Sequence, residues 1–333
     1  MSSVAVIGGV QVDLLLSPLD DLPKPGTALF VDDMGIRAGG AGANAAFAFA
    51  ETGTPVRLIG CVGDDHLGEW MIKQLAAAGL DADVITVPDK STGLTVVCEG
   101  PNRDRTFITY IGVNATWDLS MIARDAFAVE NLLFCDYFCA PRLQGDAARE
   151  LLGRARRAGT TTFFDTSWDP QGWPRSTQEE LLALLPNVDV FLPNEAEARA
   201  LSGDSGSAEE SARLLQGISG GWVVVKLGAR GCFAAGPSGT ELSVPAPAIE
   251  VGDSTGAGDA FNAGLIAALA EQRPWPDALR AATTLASTIV ARPSSERNSQ
   301  RPRDASYQEP ASYESLPKRK GSQRKLTDPS QGT

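Results

Sequence analysis

Gly252-Asp253-Ser254-Thr255-Gly256-Ala257-Gly258-Asp259-Ala260-Phe261 sets three small residues between two carboxylates and runs straight into a helical pattern over 262–270. A glycine-rich turn that opens a helix leaves backbone N–H groups unpaired and aligned with the helix dipole, which suits phosphate oxygens. Small residues let a phosphate approach the main chain without meeting a side chain. Asp259, in the first turn, would stand beside that phosphate, where it could take a proton from an attacking hydroxyl. The plainer alternative is an ordinary strand-to-helix turn in which Asp259 only favours the helix start.

Outward from this turn, short apolar runs alternate with helical patterns. The strand candidates are 4–7, 56–62, 132–138, 161–164, 188–192, 222–227 and 232–235. The helical stretches are 43–52, 67–78, 147–158, 177–185, 195–201, 208–216, 257–271 and 275–290. Such alternation predicts an α/β domain, a doubly wound and mainly parallel sheet with helices on both faces. Residues 12–34 and 91–112 break the rhythm, being strand-rich without helices, and predict a small β-sheet lid. The expected domain is 1–293, and 294–333 reads as a separate tail.

Composition narrows the function classes. The chain has 333 residues, 43% apolar, with a net charge of −12, which argues against nucleic acid or an anionic membrane as partner. No apolar run approaches a membrane span, and the first residues lack a basic stretch before an apolar one. Five scattered cysteines read as reduced, buried small hydrophobes in a cytoplasmic protein. Cys135 and Cys139 fall in an apolar run, 132–140, taken as a buried strand. His66 is the single histidine and sits in a polar turn, so the chemistry must run on carboxylates, amides and a borrowed metal ion.

Two more clusters could grip a polyol. Gly39-Gly40-Ala41-Gly42-Ala43-Asn44 precedes the first long helix and offers close backbone approach plus one amide side chain. Gly8-Gly9-Val10-Gln11-Val12-Asp13 ends the first strand with a carboxylate able to accept from two vicinal hydroxyls. Each also reads as a plain loop or turn.

These stretches carry a family resemblance. "GGVQVD", "GGAGANAAFAFAETG", "NRDRTFITYIGVNA", "LPNEAEA", "KLGARG" and "DSTGAGDAFNAG" follow one another as in the ribokinase-like (PfkB) carbohydrate kinases, over about residues 4 to 293. The resemblance implies ATP-dependent phosphorylation of a primary hydroxyl of a small sugar, with ribose, fructose and ketodeoxygluconate-like acids all open. It implies Asp259 as base and Gly256, Ala257 and Gly258 as the anion hole, with Gln11, Asp13, Gly39, Gly40 and Asn44 on the substrate. It places Asn194, Lys226, Gly228, Gly231, Gly258 and Thr283 on ATP, Glu197 near Mg²⁺ through water, and Asp253 and Thr255 at a monovalent cation (K⁺) site. Lid-to-lid homodimers also occur in the family. A nucleoside kinase of the pseudouridine or adenosine class is the alternative acceptor class, and a catalytically impaired sugar- or nucleotide-binding protein the non-enzymatic one.

The chain departs from the pattern at several points. Gln11 stands where ribokinases usually have Asn, Lys226 replaces a small hydroxyl residue, and Ala41 replaces a frequent Lys. The last change favours an uncharged sugar over a sugar phosphate. The run 166–173 lacks the Asn and Arg of fructokinase-like members. Past Arg292-Pro293, Ser294 replaces the usual Gly, and the tail has no Val, Ile or Phe. From Arg292 onward the charge is +4 against −16 for the rest, and the stretch is expected to be disordered, as an interaction tail or a frame-shifted end.

Overall fold

The computed structural model describes residues 4–16, 18–19, 21–100, 105–203, 206–293 and 297. Its strands are β1 (Val4–Ile7), β2 (Gln11–Leu16), β3 (Met34–Gly39), β4 (Val56–Gly63), β5 (Asp81–Val87), β6 (Gly93–Glu99), β7 (Arg105–Tyr110), β8 (Asn131–Phe134), β9 (Thr161–Phe164), β10 (Val190–Phe191), β11 (Trp222–Lys226), β12 (Cys232–Gly236) and β13 (Thr240–Val244). The helices are α1 (Ala41–Thr52), α2 (His66–Ala77), α3 (Asp146–Arg157), α4 (Arg175–Leu184), α5 (Glu195–Leu201), α6 (Ala208–Ser219), α7 (Ala257–Ala270) and α8 (Trp275–Val290).

Among the described residues, nine strands form one sheet in the order β13-β12-β11-β10-β9-β8-β1-β4-β5. From β11 to β5 every pairing is parallel, and β12 and β13 return antiparallel at one edge. Alternate residues of β1 serve two cores. Val4 and Val6 pack with α1, α2, α7 and α8, while Ala5 and Ile7 pack with α3 to α6. Both faces of the sheet are therefore buried, which is why these strands read as unbroken apolar runs. Strand order reverses at β1, whose neighbours are β4 and β8, and the crevice at such a reversal is where open α/β sheets bind ligands.

The lid is a second sheet, β3-β2-β6-β7, built from both segments expected to supply it. It is mixed, since β2 pairs parallel with β6 and antiparallel with β3. Its edge strand β3 begins at Met34 and runs to Gly39, so it lies almost wholly beyond the expected limit near residue 34.

The apolar run after Leu132 is not one long strand. β8 stops at Phe134 because Asp136 takes a left-handed conformation, φ 61°, and residues 137–139 curl into a 3-10 turn. Its carboxylate accepts the Ala41 amide at 2.7 Å, drawing the chain out of the sheet. Cys135 is buried beside that bend, Cys139 is half-buried, and all five cysteines are free thiols. The edge strands β5 and β13 escaped the sequence reading because exposed edges need no apolar run. No helix among the described residues is long and apolar enough to cross a membrane. The expected tail lies outside the described residues, except for Arg297.

Helix α1 sits unusually close to the end of β1. A Cβ added at Gly42 would lie 2.6 Å from the Gly8 carbonyl carbon, and backbone cannot step aside as a side chain can. Gly217 in α6 meets nothing within 4 Å. Gly42→Ala should destabilise by about 1–3 kcal/mol, and Gly217→Ala should be neutral or stabilise by up to about 1 kcal/mol, in chemical denaturation.

Candidate active site

The functional side chains gather at the carboxyl ends of the parallel strands. Gln11 follows β1, Asp136 follows β8, Asp165 follows β9, Asn194 follows β10 and Lys226 ends β11. At the opposite ends of β4 and β5, a cleft of about 510 Å³ is lined by Arg57, Asp81, Asp83 and Asp125 and holds none of these residues.

Above this rim lies the phosphate-type turn. Gly256 adopts φ 75° as the residue before α7, a conformation in which a side chain would be strained. The Thr255 amide donates to Asp253 Oδ1 at 2.8 Å, folding the turn on its own carboxylate. The Ala257 amide closes on the Ser254 carbonyl at 3.2 Å. The first helical bond runs from the Ala260 amide to the Gly256 carbonyl, 2.9 Å, so the amides of Gly258 and Asp259 precede the ladder. Of the three expected anion-hole residues, Gly258 offers its amide, whereas that of Ala257 is engaged within the turn. A Cβ on Gly258 would come within 3.3 Å of Lys226 Nζ, so this turn rests directly on an ammonium.

Asp259 is half-buried and accepts from Asn44 Nδ2 at 3.0 Å, which joins α7 to α1. Burial, reinforced by the neighbouring charges of Asp136 and Asp165, pushes its carboxyl up to about 8. Asp165 is held by Lys226 Nζ at 2.5 Å and by Asn262 Nδ2 at 2.6 Å, while Ser167 bridges it to Asp136. Burial alone would lower Lys226, but Asp165 and Glu197 outweigh it and raise the ammonium above its ordinary value. Sequence reasoning missed Asp136 and Asn262 entirely, because each sits in an apolar stretch and acquires its partner only through the fold.

Asn194 and Glu197 do something local first. The Asn194 side chain caps the Glu197 amide at 2.9 Å, and both Glu197 oxygens accept from Asn194 groups, at 2.9 and 2.6 Å. This is a capping box that starts α5. Burial and the nearby Asp165 push Glu197 up to about 7. Gly228 and Gly231 flank the turn between β11 and β12, adjoining Lys226. Thr283 lies within α8 and spends its hydroxyl on the Leu279 and Arg280 carbonyls, at 3.2 and 3.0 Å.

On the lid side, Gln11 Nε2 donates to Thr95 Oγ1 at 2.7 Å, and Thr95 continues to Thr109 at 3.0 Å. The Gln11 Oε1 and Asn114 Nδ2 atoms are buried without a partner, an acceptor and a donor left for something to satisfy. Gly39 is needed here, since its Cβ would fall 2.3 Å from the Asp13 carboxyl carbon. Gly40 takes φ 86° as α1 begins.

Asp13 is less free than the sequence suggests. Arg37 Nη2 reaches its Oδ2 at 3.2 Å and Arg37 Nη1 reaches Asp253 Oδ2 at 2.7 Å, so one buried guanidinium joins the two acids. Burial nonetheless raises the Asp13 carboxyl above its ordinary value. Arg105 from β7 pairs with Asp253 Oδ1 at 2.5 Å and with Glu99 at 3.1 Å, and donates to Thr255 Oγ1. Arg297 donates to the carbonyls of Asp253 and Thr255 at 2.6 and 2.5 Å. None of these three arginines stood out in the sequence.

A doubly wound domain with a helix-start turn, an acid in its first turn and a small sheet alongside defines a small-molecule phosphotransferase. The model of the pfkB family of carbohydrate kinases matches residues 1–301. The chain is 27% identical to the ribokinase of Haemophilus influenzae, over 87% of this chain and 92% of that protein. It is 26% identical to the aminoimidazole riboside kinase of Salmonella typhimurium, over 84% of this chain and 85% of the other. A ribokinase of Cryptococcus neoformans, solved in complex with ADP, superposes with a TM-score of 0.74 at 26% identity, covering 88% of this chain and 94% of that one. The chain belongs to the pfkB family and is a carbohydrate kinase, a phosphotransferase with an alcohol group as acceptor.

The Asp165–Lys226 pair supports the rim of this site. Removing the carboxylate would take away the 2.5 Å partner of the Lys226 ammonium and leave the Asn262 amide without its acceptor, so Asp165→Ala should cost about 3–5 kcal/mol in urea unfolding. Lys226→Met combined with Asp165→Leu should recover much of that loss.

Proposed function

We propose that this chain transfers the terminal phosphoryl group of ATP to a primary hydroxyl of a small, uncharged sugar. The observation that carries this reading is the Asp259 carboxyl, raised to about 8, held by Asn44 and standing next to the leading amides of α7. Once ionised, a carboxylate of that raised basicity is a stronger proton acceptor than an ordinary one, and the amides present donors where charge builds up.

The step balances simply. The acceptor hydroxyl passes its proton to Asp259, its oxygen bonds to the terminal phosphorus, the bond from that phosphorus to the bridging oxygen breaks, and ADP departs. The Gly258 and Asp259 amides and the Lys226 ammonium orient and neutralise the phosphoryl oxygens. The turn between Gly228 and Gly231 lies beside Lys226 and would lie along the nucleotide, while Thr283 would flank the base from α8. Among the described residues no group of three His, Cys, Asp or Glu side chains is placed to hold a metal ion. Mg²⁺ would be held chiefly by nucleotide oxygens, with Glu197 reached through water, and when bound would offset phosphate charge.

For the acceptor, the surfaces that support a sugar are neutral or acidic. Gln11, Thr95, Thr109, Asn114 and Asn44 offer amides and hydroxyls, and Asp13 offers a carboxylate at the same end of β2. Similarity to an aminoimidazole riboside kinase favours a second reading, a nucleoside presenting its ribose to the same groups. A homodimer through the lid is supported by exposed apolar residues on its edge strands, Met34, Ile36, Phe107, Ile108 and Tyr110. Phe107→Asp should then lower the mass seen by light scattering to that of one chain.

ADP release measured over a panel of sugars and nucleosides separates the acceptor classes. Asp259→Asn should keep nucleotide affinity and lose turnover by about 10² or more; near-normal turnover in that variant removes the assigned role. For wild type, kcat/KM should climb as pH rises through about 8, because only the ionised acid accepts the proton. The stability sign is opposite. A carboxyl raised in the fold favours the folded state fully below its unfolded value of 3.8, and this advantage is lost as pH rises through about 8. Asp259→Asn should therefore gain stability relative to wild type as the solution turns alkaline.

A further inference from the structure

The resemblance to the ribokinase-like kinases implies a monovalent cation held at Asp253 and Thr255, and the oxygens there do not fit one. Asp253 Oδ1 is taken by Arg105 at 2.5 Å and Oδ2 by Arg37 at 2.7 Å. The main-chain oxygens of Asp253 and Thr255 are bridged by the two Nη atoms of Arg297, at 2.6 and 2.5 Å. Arg297 Nη1 also lies 3.5 Å from Asp253 Oδ2, and the Thr255 hydroxyl accepts from Arg105. Carbonyl, carboxylate and hydroxyl oxygens of the kind that coordinate an alkali ion are therefore already facing guanidinium N–H groups.

Charge leads to the same result. Arg37, Arg105 and Arg297 meet three carboxylates, Asp13, Asp253 and Glu99, so the cluster is balanced before any ion arrives. Arg297 is 4% exposed. Burial pulls it down to about 10, still high enough to keep its charge at neutral pH. An alkali ion would have to enter beside three positive groups.

We propose that the guanidinium of Arg297 stands in place of the monovalent cation, clamping the Asp253 and Thr255 carbonyls so that the turn ahead of α7 holds its shape without potassium. Arg297 is a positioning residue. Its Nη2 lies 3.5 Å from where a Gly256 side chain would begin, and it acts on the phosphoryl site through the backbone it fastens. This inference rests on the kinase reading for its effect on turnover but not for its effect on ion binding.

The test compares potassium chloride with tetramethylammonium chloride at equal ionic strength, using the full chain. Wild-type turnover with ATP should change by less than about twofold between them. Thallium(I), a spectroscopic substitute for potassium, should show no saturable shift. Arg297→Lys should stay indifferent to potassium, whereas Arg297→Ala should lose turnover by about tenfold or more in tetramethylammonium and recover on adding potassium. Strong potassium activation of wild type, saturable thallium binding, full activity of Arg297→Ala without potassium, or a folded Arg297→Ala that potassium fails to rescue would each overturn the proposal. Absence of turnover with every acceptor would defeat the kinase reading instead. Thallium binding, and ADP affinity in the two salts, would still decide the question of the ion.

Discussion

Crowded negative charge governs the construction of this site. Asp136, Asp165 and Asp259 approach one another at the ends of β8 and β9 and the start of α7, with one ammonium, Lys226, beside them. Carboxylates this close cannot all ionise cheaply in a buried setting, so each needs a partner or gives up its charge. Asp136 is occupied by the Ala41 amide and Ser167, and Asp165 by Lys226, Asn262 and the Ser167 amide. Asp259 is left with the neutral amide of Asn44, and burial together with the charges of Asp136 and Asp165 raises its proton affinity. Burial raises Asp136 as well, in spite of its donors.

That arrangement bears on two of the sequence departures. Lys226, in place of a small hydroxyl residue, sits beneath Gly258 and offsets Asp165 and Glu197. At position 41 the backbone amide donates to the Asp136 carboxylate at the start of α1, and Ala in place of a frequent Lys adds no cation there.

What the sequence made legible is what depends on neighbours along the chain. The helix and strand periodicities, the lid segments and the turn before α7 are patterns of adjacent residues, and they emerge at the expected places. Asp259 and Asn44 stood out as candidates because each belongs to a glycine-rich stretch at a helix start, and the fold brings the two into contact. The ion pairs were not. Arg37 meets Asp253 across 216 positions, and Asn262 meets Asp165 across 97. An arginine in a short strand looks like any exposed polar residue until folding supplies its acid. Asn194 and Glu197 show the converse: a spacing taken for metal chemistry is also an N-terminal cap, because residues three apart at a helix start face each other whatever else they do. Arg297 was lost among polar residues that the composition assigns to a tail.

The small sheet is tethered in a particular way. β2 follows β1 after three residues and carries Gln11 and Asp13, while β3 runs directly into α1 through Gly39 and Gly40. Arg37 on β3 and Arg105 on β7 both hold Asp253, at the foot of the turn that leads into α7. The cover is thus a lever with its fulcrum at Asp253. On the proposed reading, tilting it would swing the side chains that meet the acceptor and tug the turn that meets the phosphate in a single stroke.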